Sequence, residues 1–398
     1  MLIKNALAAD CAGAFEGGLR IENGLITEIG DGLAPREGEE VLDARGMVLL
    51  PAFTDLHAHF RDPGYTHKET LESGSRAAAK GGYTFVNLMA NTNPVCSTAR
   101  QAAEVQRRMA GIGLCGANQV ISVTRDFSGT DISHLDELPD GIRILCEDGK
   151  GVQSADVMAR VMQKAAARGW IIQSHAEDMQ VSPYDYRLAE NLETARNIKL
   201  AEYYGAWLHL THVSTKESMA DIIDAKLRGA MVTCDVTPHH IWFSEQDYRV
   251  NPPIREAEDV QFLLQAIAGG YVDCIATDHA PHTPADKKSG APGMVGLETA
   301  FSVCYTRLVQ EGGLPLEALS RLLSFGPASI LGLRKGRLLP GWDGDIVLAD
   351  LRKTYRIDPE EFESMGRNTP FAGMTLCGKI MATVKGGKLT YRDKEFLQ

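Results

Sequence analysis

Between residues 48 and 330 the chain alternates eight short apolar runs with longer amphipathic stretches. The runs are Leu49–His57, Thr84–Met89, Leu114–Val123, Ile142–Cys146, Trp170–Ser174, Trp207–Thr211, Ala230–Val236 and Asp273–Thr277. The stretches between them include Glu69–Lys80, Ala99–Ala110, Ser154–Arg168, Glu193–Tyr204, Thr215–Arg228 and Glu256–Ala268. Apolar runs of strand length alternating with helical periodicity predict βαβ units and a parallel sheet. Eight units in about 280 residues match an α/β fold of the (β/α)8 TIM-barrel type, for which ~250 residues is typical. A doubly wound open sheet is the alternative, but no Gly-x-Gly-x-x-Gly turn follows an early strand. Ser214-x-x-Glu217 has the form of a capping box and predicts a helix opening there.

The two ends read differently. Gly18–Glu22, Leu25–Ile29 and Glu40–Asp43 near the N-terminus, and Asp345–Leu348 and Ile380–Val384 near the C-terminus, are strand-like pieces separated by turns. That spacing predicts antiparallel β structure. Neither end is long enough to bury much core, so residues 1–47 and 335–398 are expected to form one composite, β-sandwich-like domain. Residues 48–334 are then the barrel.

Composition narrows the function classes. A net charge of −11 with no basic block argues against nucleic acid as a partner. No apolar stretch reaches the ~18 residues needed to span a bilayer, and Met1–Ala14 lacks the apolar core of a signal peptide. The eight cysteines, Cys11, Cys96, Cys115, Cys146, Cys234, Cys274, Cys304 and Cys377, are scattered without a Cys-x-x-Cys pair. They read as small buried side chains in a reducing, cytoplasmic compartment.

Catalytic groups of such barrels collect at the C-terminal ends of the strands. The first strand ends in His57 and His59, followed by Arg61. The second leads to Asn91, the fourth to Glu147 and Asp148, the fifth to His175, the sixth to His212 and the eighth to Asp278, His279 and His282. Residues i and i+2 of a strand face the same way, so His57 and His59 present their imidazoles side by side. Four histidines and two aspartates exceed the needs of one tetrahedral zinc. With one shared carboxylate they fit two Zn2+ ions roughly 3.5–4 Å apart, which can hold a bridging hydroxide for hydrolysis or its reverse.

The stretch Asp55-Leu56-His57-Ala58-His59-Phe60-Arg61-Asp62-Pro63-Gly64, with His67-Lys68-Glu69-Thr70, resembles the first-strand signature of the dihydroorotases in the amidohydrolase superfamily. Further matches are Ala90–Val95, Glu147–Gly149, His175–Asp178, His212–Thr215, Thr237–His240, Asn251–Arg255, Asp278–His282 and Gly296–Ala300. Together they cover nearly the whole chain and are most similar to the bacterial type I branch. The resemblance implies that His57 and His59 bind one zinc, that His175 and His212 bind the other, and that Asp148 bridges them. It implies that Asp278 is both a ligand and the catalytic proton shuttle. Arg61, Asn91 and His282 are then expected to grip the substrate carboxylates and Asn251 to contact the ring. Pro292 and Gly293 are expected to offer backbone groups from a loop that closes after His282. The implied reaction is the reversible cyclisation of N-carbamoyl-L-aspartate to L-dihydroorotate in de novo pyrimidine (UMP) synthesis. A dicarboxylate substrate suits two cations, Arg61 and, when protonated, His282.

The match has departures. Ala90 stands where the family usually has proline, Glu147-Asp148 replaces two aspartates, and the segments from His175 to His212 and after His282 are short. Glu147 therefore stays open as an alternative bridge. His239 and His240 are expected to support the site by hydrogen bonds, His279 and His209 to face away from it, and His67 and His134 to be solvated. Lys150 follows Gly149 outside the strand, away from the place of a carboxylated lysine. Two other readings are a related cyclic amidase (allantoinase or hydantoinase) and a metal-free scaffold for aspartate transcarbamoylase. A strand-four lysine would mark the former, and strand four, Gly141–Cys146, has none. A homodimer is the base-rate expectation for assembly.

Overall fold

In the computed structural model, which describes residues 1–396, eight parallel strands follow one another around a (β/α)8 barrel. They are Phe53–Ala58, Tyr83–Leu88, Gly116–Gln119 continuing into Ile121–Ser122, Ile144–Cys146, Ile171–Ser174, Trp207–Leu210, Val232–Val236 and Cys274–Ile275. Strand eight returns to strand one through a parallel bridge between Ala58 and His279, where the His59 amide donates to the His279 carbonyl at 2.8 Å. Nearly every strand residue is buried, as expected for a parallel sheet covered by helices on its outer face.

The helices that cover the strands are Leu71–Lys80, Ala99–Ile112, Ala155–Arg168, Tyr186–Tyr204, Lys216–Leu227 and Ala257–Ala268, with helical turns from Ala300 to Leu331 closing the ring. The third crossover has no α-helix. Two short 3-10 turns, Arg125–Phe127 and Ser133–Glu137, stand in its place in a segment broken by Gly129, Pro139 and Gly141. The helix cap expected at Ser214 sits one residue later and lacks the reciprocal bond of a capping box. Thr215 caps the helix by accepting from the Ser218 amide at 3.2 Å, because the Ser214 hydroxyl is committed to the buried Glu190 carboxylate.

The termini join in one continuous eight-stranded sheet with its own core of Ile3, Leu19, Ile26, Leu49, Ile346, Leu348 and Val384. Val48–Pro51, expected as the start of the first barrel strand, belongs to this sheet instead. It pairs parallel to Leu2–Asp10 and antiparallel to Ile346–Arg356, so the crossover into the barrel falls at Ala52. Val41–Asp43 also runs parallel to Leu2–Asp10, which makes the sheet mixed rather than purely antiparallel.

Candidate metal and substrate site

Five of the eight strand ends bring their ionisable groups into one buried cluster. Asp148 lies at its centre. Its Oδ1 is 3.3 Å from His57 Nε2, 3.4 Å from His175 Nδ1 and 3.7 Å from His212 Nε2, and its Oδ2 is 3.6 Å from His59 Nε2. The imidazoles face each other in pairs, with His57 Nε2 3.2 Å from His59 Nε2 and His175 Nδ1 3.0 Å from His212 Nε2. Asp278 Oδ1 is 3.1 Å from His59 Nε2 and 3.6 Å from His57 Nε2. Glu147 turns away from this cluster, its carboxylate accepting from the Thr124 amide at 2.8 Å and from the Thr124 hydroxyl. Burial pushes the Glu147 carboxyl up to about 7. Lys150 is exposed, outside the cluster.

The outer nitrogens fix how the inner ones present themselves. Thr211 Oγ1 donates to Asp235 Oδ2 at 2.7 Å, so it must accept from His57 Nδ1 at 2.8 Å. Asn91 donates through Nδ2 to Asp148 Oδ2 at 3.0 Å, which leaves its carbonyl oxygen to accept from His59 Nδ1 at 2.9 Å. Glu177 Oε2 accepts from His175 Nε2 at 2.9 Å. Each bond puts the proton outside and turns a bare lone pair inward. Three inward lone pairs and two carboxylates are a donor set for divalent cations, and outer hydrogen bonds of this kind orient metal-binding histidines. Burial pulls His57 and His175 down, but Asp148 with Asp278, and Asp148 with Glu177, outweigh it and raise them to about 9 and 10. Burial alone would raise Asp278, yet His59 and His57 hold it well below the usual carboxylate range.

Two residues of the cluster and the neighbouring Arg61 have an unusual backbone, shared elsewhere by Asn5, Asn23, Asp126, Phe127 and Glu245. Arg61, His212 and Asp278 have φ of 59°, 41° and 48°, in the left-handed region that side-chain-bearing residues avoid. Such conformations cluster where the surrounding structure holds a side chain against its local preference.

The residues expected to hold substrate surround this cluster. Arg61 Nε donates to the Pro281 carbonyl at 3.4 Å, and its outer nitrogen lies 3.3 Å from His282 Nε2. His282 is not the second cation expected. Burial and the nearby Arg61 push it down to about 3, and its Nε2 meets the Pro292 carbonyl at 2.9 Å. Asn251 Nδ2 donates to Glu177 Oε2 at 2.9 Å. Asn91 spends its amide on His59 and Asp148, and Gly293 has both backbone groups engaged, its amide on the Arg249 carbonyl and its carbonyl on Lys287 and Asn368. The loop after His282 contains a short helix, Pro284–Lys288, opened by a Thr283–Asp286 capping box that the sequence reading passed over.

The amidohydrolase family model matches residues 48–390. The chain belongs to the amidohydrolase family. It is 48% identical over 396 residues to a dihydroorotase of Clostridium botulinum (strain Eklund 17B / Type B), a match covering 98% of this chain and 99% of the other. A dihydroorotase of Bacillus subtilis (strain 168) is 38% identical over 403 residues, 94% of each chain. Among solved structures, L-hydantoinase (dihydropyrimidinase) from Arthrobacter aurescens superposes with a TM-score of 0.89 at 24% identity, covering 100% of this chain and 97% of that one. At that identity the likeness speaks for the fold.

In this amidohydrolase the remaining histidines divide clearly. His209 is buried, with Nδ1 on Thr233 at 2.8 Å and Nε2 on Asp235 at 2.9 Å. His279 faces Glu69 at 3.4 Å, His240 holds the Pro252 carbonyl at 3.0 Å, buried His239 makes none of the supporting hydrogen bonds expected of it, and His67 is exposed. His134, expected in solvent, is buried with Nε2 on the Ser122 carbonyl at 3.0 Å. His209, Asp235 and Cys274 also come close together, but the first two are spent on each other and burial pushes the Cys274 thiol well above its ordinary value. Sequence reasoning missed Glu177, Thr211 and Asp235. Glu177 lies beyond the end of strand five, where alternation no longer applies, and Asp235 is a lone buried aspartate in strand seven with no local mark of its role.

Proposed function

We propose that this chain is a zinc-dependent dihydroorotase, which interconverts N-carbamoyl-L-aspartate and L-dihydroorotate. The observation that carries this reading is the position of Asp148, a carboxylate between two pairs of imidazoles that, among the described residues, lies within ion-pair distance of four histidines and of no lysine. His57, His59 and Asp278 would hold one zinc, His175 and His212 the other, and Asp148 would be shared. Zinc there would polarise the ring carbonyl and acidify the attacking water.

The protein's own groups supply the rest. In ring opening, water adds to the ring carbonyl carbon, the C–N bond breaks and the leaving nitrogen takes up a proton. Asp278 is held ionised, so it can take the proton from water and return it to that nitrogen. The Arg61 guanidinium matches a carboxylate as a planar fork, and its place two residues beyond His59 supports a role in binding a substrate carboxylate. Asn251, held by Glu177, would contact the ring. His282, its Nε2 engaged by the Pro292 carbonyl, would present Nδ1 as an acceptor for a substrate N–H rather than as a charge for a carboxylate. We further propose a cytoplasmic homodimer, with aspartate transcarbamoylase as a partner to test by co-purification.

The test is zinc content together with hydrolysis of dihydroorotate, hydantoin and allantoin by the purified protein. We expect about two zinc ions per chain and activity on dihydroorotate. A fully metallated protein that opens hydantoin or allantoin but not dihydroorotate would overturn the substrate. A metal-free, inactive protein would favour the scaffold.

A further inference from the structure

The loop after strand eight is held by a residue from outside the barrel. Asn368 lies in the connection between the sheet strands Ile346–Arg356 and Thr375–Lys385. Its Nδ2 donates to the Ala280 carbonyl and to the Gly293 carbonyl, each at 3.1 Å, and its Oδ1 accepts from the His282 amide at 3.0 Å. Ala280 and Gly293 are the two stems of the loop that carries His282 and Pro292. The Asn368 carbonyl also accepts from the Val295 amide at 2.9 Å.

The connection is itself anchored to the barrel. The buried Glu298 carboxylate accepts from the Glu363 and Ser364 amides at 3.0 and 3.1 Å, and the buried Glu69 carboxylate accepts from the Met365 amide at 3.2 Å. Gly366 follows, against the same loop stems. A Cβ there would lie 2.6 Å from Val295 Cγ1 and 2.8 Å from Pro281 Cβ. From this footing Asn368 meets two carbonyls and one amide, a set that needs two donors and one acceptor on a single short side chain. A primary amide supplies both.

We propose that Asn368 is a positioning residue for substrate binding: its amide clamps the two stems of the strand-eight loop and sets His282 beside Arg61. The terminal sheet thereby contributes to the barrel's site. The proposal rests on the reading that His282 and Arg61 face the substrate.

The test compares Asn368→Asp and Asn368→Ala in the full-length, zinc-loaded protein. Asp keeps the size and the acceptor for His282 but turns oxygen toward two carbonyl oxygens, so it should be as damaging as Ala. A packing role would spare it. With three hydrogen bonds lost in Ala and two opposed in Asp, KM for dihydroorotate should rise about tenfold or more, kcat should change much less, and zinc content should stay that of the unsubstituted protein. Trypsin cleavage after the exposed Lys288 should accelerate in both variants, and in the unsubstituted protein the His282 amide should exchange with deuterium as slowly as barrel-strand amides. KM within twofold with unchanged cleavage, kinetic loss only in step with zinc loss, or a fast-exchanging His282 amide would each overturn the proposal. Cleavage and exchange need no substrate. They judge the clamp even if the protein proves inactive on dihydroorotate, which would refute the function alone.

Discussion

Glu177→Gln isolates one joint between the proposed metal site and the proposed substrate site. One carboxylate oxygen, Oε2, accepts from His175 Nε2 and from Asn251 Nδ2, each at 2.9 Å, inside a buried pocket. Glutamine is nearly isosteric and can still accept both bonds through its carbonyl oxygen, so what it removes is the charge. Hydrogen bonds to a charged group contribute about 1.5–3 kcal/mol and neutral ones about 0.5–1.5, a difference of about 1 kcal/mol for each bond. That is roughly a fivefold effect on each side of the joint. The loss at His175 should weaken zinc at the second position about five- to tenfold, at the lower end of the 10–100-fold typical when the outer partner of a metal-binding histidine is altered. The loss at Asn251 should raise KM about fivefold when zinc is saturating. Titration of zinc-free protein against a chromophoric chelator reads the first effect, and initial rates in excess zinc read the second. Asn251→Ala should raise KM alone and leave zinc affinity unchanged. If Glu177→Gln binds both zinc ions within twofold of the parent, the assignment of the His175 proton to Nε2 is wrong.

Asp148→Ala should lose the second zinc and at least ~100-fold of the activity, whereas Glu147→Gln, whose carboxylate serves Thr124, should keep both; elemental analysis and rates distinguish them. Arg61→Met should raise KM about 10–100-fold with a smaller change in kcat, since a charge-assisted pair with a substrate carboxylate contributes about 1.5–3 kcal/mol. An unchanged KM would move the carboxylate elsewhere. Burial, partly offset by Arg196, pushes the Glu193 carboxyl up to about 7 from its ordinary 4.5. The folded state then holds the proton more tightly, so this contribution to stability is fully present below about 4.5 and is lost as pH rises through about 7. Glu193→Gln should flatten that decline in urea midpoints between pH 5 and 8, and an unaltered slope would count against it.

The barrel was legible because period and chemistry pointed the same way: apolar runs recurred at strand length, and histidines and aspartates recurred at one end of them. Errors arose where one residue could serve two neighbours. Val48–Pro51 is as apolar as a barrel strand, and only tertiary pairing assigns it to the terminal sheet. Ser214 has the form of a cap, but Glu190 competes for its hydroxyl. His134 has no periodic signal that separates a buried turn from a solvated one. The left-handed backbone at Arg61, His212 and Asp278 has only a weak local sequence mark, because aspartate and histidine tolerate that region better than most residues but rarely adopt it, and arginine lacks even that tolerance. Asn368 reaches a loop 75 to 88 residues away, a distance no local pattern spans.

The acceptors that set the imidazole protons come from different strands, and this bears on how the site tolerates change. His57 depends on Thr211 from strand six and, through it, on Asp235 from strand seven. Asp235 Oδ1 also accepts from the His212 amide at 2.6 Å, so one carboxylate orients a proposed ligand of each zinc. His59 depends on Asn91 beyond strand two, and His175 on Glu177 beyond its own strand. The His57 lone pair is therefore held across neighbouring strands, whereas those of His59 and His175 are held by the loops that carry Asn91 and Glu177. The substrate-facing groups Arg61, Asn251 and His282 sit on loops tied down by Pro281, Glu177 and Asn368. Substitutions in those loops can change which carboxylate or ring is accepted while the barrel keeps the metal-binding geometry, and substitutions at Thr211 or Asp235 cannot alter one without the other.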